Sequence, residues 1–301
     1  MAPIFGKNRE VNSTSREPSI STIAVLGAGT MGHGIAHVCA AAGYATRLYD
    51  LNDAAVDAGM SKIRSNLDKG VAKGKVSAQD RDRALSCLVG TSSLEEACNT
   101  AELVIEAVPE KLEIKRDLFA KVAEIVGNDA ILGTNTSSLS VAKIAEHSPN
   151  PARVIGLHFF NPVHIMKLLE IVVAPSTNEA TLARAKAFGE SIGKDCIVVR
   201  DSPGFATSRL GLVIGLEAIR MVEQGVASAR DIDKAMTLGY GFPMGPLELT
   251  DLVGLDVRLN IAQYLAANLP NAAHFEPPAL LRELVAHGKL GKKSGEGFYK
   301  W

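Results

Sequence analysis

The chain has 301 residues, more than a typical single domain, and its 47% hydrophobic and 22% charged residues are the balance of an ordinary globular protein. A formal net charge of −1 gives nothing global to attract nucleic acid or an anionic membrane, so any anionic ligand must be met by a local patch. Cys39, Cys87, Cys98 and Cys196 stand far apart without a C-x-x-C pair, which argues against a metal site or a disulfide framework and for reduced thiols in a cytoplasmic setting.

Residues 1–19 are polar, lack the apolar core of a secretory signal, and read as a disordered tail. No apolar run approaches the roughly 20 residues needed to span a bilayer. Ser21 to Leu26 is a short β-branched-rich run ending in Gly27, the pattern of a buried strand. Thr30 to Ala42 carries Ala, Ile and Val at helical spacing and stops at Gly43. Ala45 to Tyr49 is a second strand closed by Asp50, so one parallel βαβ unit is complete. Residues 53–83 break the rhythm: they read as two polar helices with Gly70 and Gly74 between them, too charged for core.

The alternation then resumes. Leu103 to Ala107, Ala130 to Thr134, Val154 to Leu157, Leu168 to Val173 and Cys196 to Val199 read as strands, and Leu112 to Val126 as a helix. Such alternation favours a doubly wound sheet covered on both faces. After Ser202-Pro203-Gly204 the strand signals end, and Phe205–Gln224, Ala229–Thr237, Leu247–Asn268 and Pro278–His287 read as helices. The expected organisation is a sheet domain over residues 20–202, carrying a helical arm at 53–83, and an all-helical domain over 203–301. The second part is small for an independent core and is expected to pack on the sheet or on a second subunit.

Gly27-Ala28-Gly29-Thr30-Met31-Gly32 matches G-x-G-x-x-G, a weak signal alone. Here a strand precedes it, a helix follows, and an acidic residue closes the next strand, which is the context of a Rossmann dinucleotide site. Gly27 allows the tight turn, Gly29 lets the backbone approach a pyrophosphate, and Gly32 lets helix and strand pack closely. Free amides around Thr30 and Met31 and the helix dipole suit the anion. Asp50 stands where a carboxylate accepts from adenosine ribose hydroxyls and repels a 2′-phosphate, favouring NAD over NADP; a plain strand-end cap is the alternative.

His158, in GLHFFNP, ends one strand candidate, and Glu170 lies on the next. A neutral imidazole suits removal of a hydroxyl proton as hydride leaves, and a carboxylate behind it would fix the tautomer. Sequence alone does not show that the two touch. Thr134-Asn135-Thr136-Ser137-Ser138 follows a strand and is either a helix cap or a loop that meets a substrate oxygen.

Together, GAGTMGHGIA, EAVPEKLEIK, NTSSLS, GLHFFNPVHIMKLLEIV, DSPGF, PMGPLELTDLVGLD and GKKSGEGFYKW resemble, in order, the 3-hydroxyacyl-CoA dehydrogenase family, in particular its short monofunctional members acting on 3-hydroxybutyryl-CoA. The resemblance runs from about Ser21 to Trp301. It implies His158 as general acid/base, Glu170 as its partner, and Ser137 as hydrogen-bond donor to the substrate 3-oxygen. It further implies Glu110 and Lys115 on the nicotinamide side, Asn161 and Lys293 as further NAD contacts, and a homodimer formed by the helical domain. The arm would bind the CoA nucleotide, with Lys73 as its basic contact and Asn66 where serine is expected. Lys62, Arg64, Lys69, Lys73 and Lys75 give that arm the local positive charge the whole chain lacks, although a solvated basic face is the alternative. Ser208 stands where the family usually has an asparagine that holds the substrate carbonyl.

The expected reaction interconverts (S)-3-hydroxyacyl-CoA and 3-oxoacyl-CoA with NAD. Two rivals stay open: the same fold and cofactor acting on a dicarboxylic acyl-CoA or a CoA-free hydroxy acid, and a non-catalytic NAD-binding protein.

Overall fold

The computed structural model describes residues 20–301, so the expected 1–19 tail lies outside the described residues. In chain order the sheet domain runs β1 (Thr22–Leu26), α1 (Thr30–Ala41), β2 (Ala45–Tyr49), α2 (Asp53–Ala72), α3 (Ala78–Ser86), β3 (Leu88–Thr91), α4 (Leu94–Cys98), β4 (Leu103–Glu106), α5 (Leu112–Ile125), β5 (Ile131–Thr134), α6 (Val141–Ala145), β6 (Val154–Phe159), β7 (Leu168–Val173), α7 (Glu179–Ser191) and β8 (Asp195–Arg200). The helical part adds α8 (Thr207–Glu223), α9 (Ala229–Lys234), α10 (Pro246–Val253), α11 (Leu255–Asn268) and α12 (Ala279–Ala286).

One eight-stranded sheet has the order β3-β2-β1-β4-β5-β6-β7-β8. β3 through β6 are parallel, β7 is antiparallel to β6, and β8 is parallel to β7. The chain leaves β1 for β2 on one side and returns to β4 on the other, which opens a crevice at the carboxyl ends of β1 and β4. Apolar side chains fill both faces. Ile35, Ala36, Cys39 and Ala40 of α1 pack with Ile23, Val25, Leu48, Ile105 and Phe188 on one side. Phe119 and Val122 of α5 pack with Leu26, Val104 and Leu132 on the other.

Several expectations change. β3 and the short helix α4 carry too few apolar positions to stand out in the sequence, and both emerge only through pairing with β2 and packing on the sheet. The arm is not wholly outside the core: Val56, Gly59, Ile63 and Leu67 of α2 recur at helical spacing and are buried, Gly59 because a Cβ there would sit 2.9 Å from the Ala28 Cβ. Gly70 falls inside α2, while Gly74, at φ +65°, makes the turn to α3. The single helix expected over Leu247–Asn268 is two helices, because Gly254 takes φ +104° between α10 and α11. Residues 235–239 coil more widely as a π-turn.

The helical part also has a core of its own, in which Leu212, Leu216, Ile219, Leu247, Leu255, Leu265, Phe275 and Leu281 are buried together. Its last residues are clamped by two buried carboxylates. Asp251 accepts from the Phe298 and Tyr299 amides and the Trp301 indole N–H, each at 2.9 Å, and Asp233 accepts from the Tyr299 hydroxyl at 2.7 Å. No described helix is long and apolar enough to cross a membrane.

Candidate active site

The glycine turn has the shape a dinucleotide demands. Gly27 sits at φ +101°, and a Cβ there would stand 2.7 Å from the Ala107 carbonyl oxygen, so only glycine lets β1 and β4 close at the crevice. A Cβ on Gly32 would fall 1.6 Å from the Gly27 oxygen. Gly29 differs: nothing lies within 4 Å of its Cβ position, so its front is open space. Gly29 caps α1 without any side-chain hydrogen bond, leaving the first-turn amides of Thr30 and Met31 free of a side-chain acceptor. This open, donor-rich cradle fits a pyrophosphate.

Asp50, at the end of β2, turns toward the same loop. Its Oδ2 accepts from the Ala28 amide and its Oδ1 from the Leu51 amide, both at 2.7 Å. Each oxygen keeps a second lone pair, so the carboxylate serves as cap and still has acceptor capacity for ribose hydroxyls.

His158 and Glu170 are brought together by register. In the antiparallel β6–β7 pair they stand directly opposite, which puts both side chains on one face. His158 Nδ1 lies 2.8 Å from Glu170 Oε2, and both residues are buried. Oε2 also accepts from the Thr207 hydroxyl at 2.7 Å, while Oε1 accepts from the Ala206 amide at 2.9 Å and the Thr207 amide at 3.1 Å. Burial alone would raise the Glu170 carboxyl, but the bonds from His158, Thr207 and Ala206 outweigh it and hold the group below its ordinary value. An ionised carboxylate only accepts, so in the neutral imidazole the proton belongs on Nδ1, leaving the lone pair on Nε2. The Phe160 and Phe205 rings, with centroids 4.4 and 5.9 Å from the imidazole, wall it in.

The Asn135–Ser140 loop leaves β5 at the same edge of the sheet. Glu110, after β4, accepts from the Thr136 hydroxyl and from the Ser137 amide at 3.0 Å. Asp201 holds the loop's far end, accepting from the Ser140 hydroxyl and the Ala142 amide at 2.8 Å each. Asn135 Oδ1 accepts from the Phe159 amide at 2.9 Å, fastening the loop to the strand that carries His158. Lys115 is 1% exposed, with its Nζ 2.6 Å from Glu106 and 3.2 Å from Glu110.

Among the described residues, none of the other expected ones hydrogen-bonds to this cluster. Asn161 is exposed in the bend after β6. Lys293 pairs with Asp256, its Nζ 2.7 Å from Oδ2, beside the α10–α11 break. Ser208 is half-buried in the first turn of α8, next to Thr207. Asn66 and Lys73 line a cavity of about 680 Å³ between α1 and α2, together with Lys69, Lys75, His37 and His164. Lys62 and Arg64 do not face it.

Sequence reasoning missed Thr207, Asp201 and Glu106. Glu106 carried a readable signal, a carboxylate inside the apolar run LVIEA. Thr207 and Asp201 carried none, since their partners are 37 and 59 to 61 residues away.

A dinucleotide cradle at the switch point, a buried His–Glu pair at the same edge and a helical second domain define a two-domain, nicotinamide-dependent alcohol dehydrogenase. The chain matches the 3-hydroxyacyl-CoA dehydrogenase NAD binding domain over residues 22–202 and the 3-hydroxyacyl-CoA dehydrogenase C-terminal domain over residues 204–301. It belongs to the 3-hydroxyacyl-CoA dehydrogenase family and is an NAD-dependent enzyme of that class. It is 42% identical to a 3-hydroxybutyryl-CoA dehydrogenase of Mycobacterium tuberculosis over 94% of this chain and 99% of that one. A 3-hydroxyadipyl-CoA dehydrogenase of Escherichia coli is 41% identical over 94% of this chain and 59% of that one. Among solved structures, an (S)-3-hydroxybutyryl-CoA dehydrogenase of Ralstonia eutropha superposes with TM-score 0.91 at 38% identity, covering 94% of this chain and 99% of that one.

Proposed function

We propose that the enzyme interconverts short-chain (S)-3-hydroxyacyl-CoA, 3-hydroxybutyryl-CoA in particular, and 3-oxoacyl-CoA. The buried His158–Glu170 pair is the observation that carries this reading. In oxidation, His158 Nε2 takes the substrate hydroxyl proton while Glu170 stabilises the imidazolium that forms. In reduction, the same Nε2 returns the proton to the forming alkoxide. Ser137 donates to the 3-oxygen, and Ser208 lies on the carbonyl side.

NAD, held by Gly27, Gly29, Thr30, Met31, Gly32 and Asp50, supplies the hydride acceptor. Glu110 and Lys115 stand on the nicotinamide side, and Asn161 and Lys293 are further NAD contacts. The cavity of Asn66, Lys69, Lys73 and Lys75 receives the CoA nucleotide, where clustered ammonium groups meet phosphate. Homodimerisation through the helical domain would cover Leu238 and Tyr240, which are 83% and 78% exposed. The four cysteines are free thiols, in keeping with a reducing compartment such as the cytoplasm.

The test is NADH oxidation with acetoacetyl-CoA, using His158→Ala as control. Rapid turnover that falls by roughly 10²- to 10⁴-fold in the variant supports the reading. Turnover unaltered in the variant overturns the role of His158. The near-equal identity to a 3-hydroxyadipyl-CoA enzyme favours one alternative, a dicarboxylic substrate. A higher kcat/KM with 3-hydroxyadipyl-CoA than with 3-hydroxybutyryl-CoA would establish it.

A further inference from the structure

The cavity between α1 and α2 is lined by two unlike sets of groups. Lys69, Lys73 and Lys75 bring ammonium groups to it. Two imidazoles line it as well, His37 from α1 and His164 from the turn after β6. Their rings stack with centroids 5.2 Å apart and planes 22° from parallel. His37 is buried, at 6% exposure, whereas His164 is exposed. One face of the His164 ring is thus covered by His37, and the residue still borders the open cavity.

The turn that carries His164 is fixed from both sides. Buried Lys194 donates from Nζ to the Val163 and Met166 carbonyls, which flank His164 in the chain. Val163 packs so closely on α1 that a Cβ on Gly34 would fall 2.8 Å from its side chain. His164 is therefore presented by a preorganised segment, which lowers the ordering cost of binding. His37 Nδ1 is buried without a hydrogen-bond partner among the described residues, so no structural hydrogen bond accounts for a histidine there.

Both imidazoles are neutral at neutral pH. Burial pushes His37 down to about 4, helped by His164, His33 and Lys194. Burial, His33 and Lys194 lower His164 in the same direction. A neutral imidazole is a poor partner for phosphate but a good surface for a flat aromatic ring. The lysines already supply the cations, so the stacked pair fits the other end of a nucleotide, its base.

We infer that His164, backed by His37, reads the base of the CoA nucleotide by stacking on its purine. This rests on the reading that the cavity receives that nucleotide. His164 touches the base, and His37 is a positioning residue that holds the His164 ring from behind.

Acetoacetyl-CoA and acetoacetyl-pantetheine separate this contact from the chemistry, because the second keeps the reacting carbons and lacks the nucleotide. Steady-state kcat and KM with both are measured for native enzyme, His164→Ala, His164→Phe, His37→Leu and Lys69→Ala/Lys73→Ala, with melting temperature as a check on folding. His164→Ala should raise KM for acetoacetyl-CoA roughly tenfold, with kcat and both pantetheine constants within about twofold of native. His164→Phe, which stacks but offers phosphate no donor, should keep KM for acetoacetyl-CoA within about threefold of native. His37→Leu should raise KM for acetoacetyl-CoA alone, whereas a merely structural His37 would affect both substrates alike.

A native KM for acetoacetyl-CoA in His164→Ala would overturn the inference. So would a His164→Phe enzyme as weak as His164→Ala, which would assign the imidazole to phosphate. The double-lysine variant distinguishes the two levels of failure. If it weakens acetoacetyl-CoA alone beside a silent His164→Ala, only the inference falls. If it treats both substrates alike, the reading that this cavity receives the nucleotide falls with it.

Discussion

Glu170 and Thr207 belong to different domains, yet the Thr207 hydroxyl donates at 2.7 Å to the same Glu170 oxygen that faces His158 Nδ1 at 2.8 Å. The His158–Glu170 pair is thus built on β6 and β7 but finished by the first residue of α8. The first amide of α8 and the one before it fill the other Glu170 oxygen, and the positive end of the helix dipole favours the charge. The site depends on domain docking, and docking is partly made by the site.

Substitutions at this junction should separate the two roles. Thr207→Val keeps the shape and the backbone bonds but removes the hydroxyl. It should lower stability by about 1 kcal/mol, measured by urea unfolding, and reduce kcat several-fold. Glu170→Gln replaces an acceptor with a donor toward His158 or Thr207 and weakens the imidazolium. Its kcat should fall on the order of 10²-fold. Native turnover in Glu170→Gln would remove the carboxylate from the mechanism.

The depressed Glu170 carboxyl also sets a pH dependence of stability. The folded form holds its proton less tightly than the unfolded form, whose carboxyl keeps its ordinary value of 4.5. The stabilisation is fully present above that value and is lost as pH falls through the lower folded value. Urea unfolding of native enzyme and Glu170→Gln should show a gap that is constant from neutral pH to about pH 5.5 and closes below pH 4.5. A gap that persists unchanged down to pH 3 would show that the charge contributes nothing to folding.

Gly29 and Gly32 sit three residues apart in one motif and should fail in different ways. Gly32→Ala drives a methyl into the Gly27 carbonyl and should cost about 3 kcal/mol of stability. Gly29→Ala meets open space at an ordinary φ of −65°, so the fold should lose no more than about 1 kcal/mol. NADH affinity in Gly29→Ala should nevertheless drop about tenfold, because the added methyl occupies the approach to the helix amides. Thermal unfolding with and without NADH reads both effects. A Gly29→Ala protein that binds NADH as native would move the pyrophosphate elsewhere.

Much of this was legible from residue order because it is local. The strand–turn–helix around Gly27, the strand that Asp50 closes and the switch to helices after Gly204 are written in periodicity and turn residues. The pairing of His158 with Glu170 was not legible from residues, since a strand register across residues 160–167 decides it. Likewise Gly254 reads as a tolerable glycine within a helical pattern until its φ of +104° is seen. The burial of Lys115 runs against its composition. Charge predicts exposure, and only the meeting of β4, β5 and α5 shows that Glu106 and Lys115 bury each other.

Ser208 gives the last test, because its neighbour is fixed. Thr207 is pinned to Glu170 by amide and hydroxyl, so the next side chain along α8 starts from a defined place beside the His158–Glu170 pair. A serine there reaches less far than asparagine and cannot donate and accept through an amide. Ser208→Asn adds a donor of about 0.5–1.5 kcal/mol, which corresponds to a two- to twelvefold change in kcat/KM with acetoacetyl-CoA. The expected direction is an increase, with melting temperature held, and a comparison of C4 and longer 3-oxoacyl-CoA substrates should show the ratio between them shifting. Constants equal to native for every chain length, in a protein of native stability, would place this position away from the substrate.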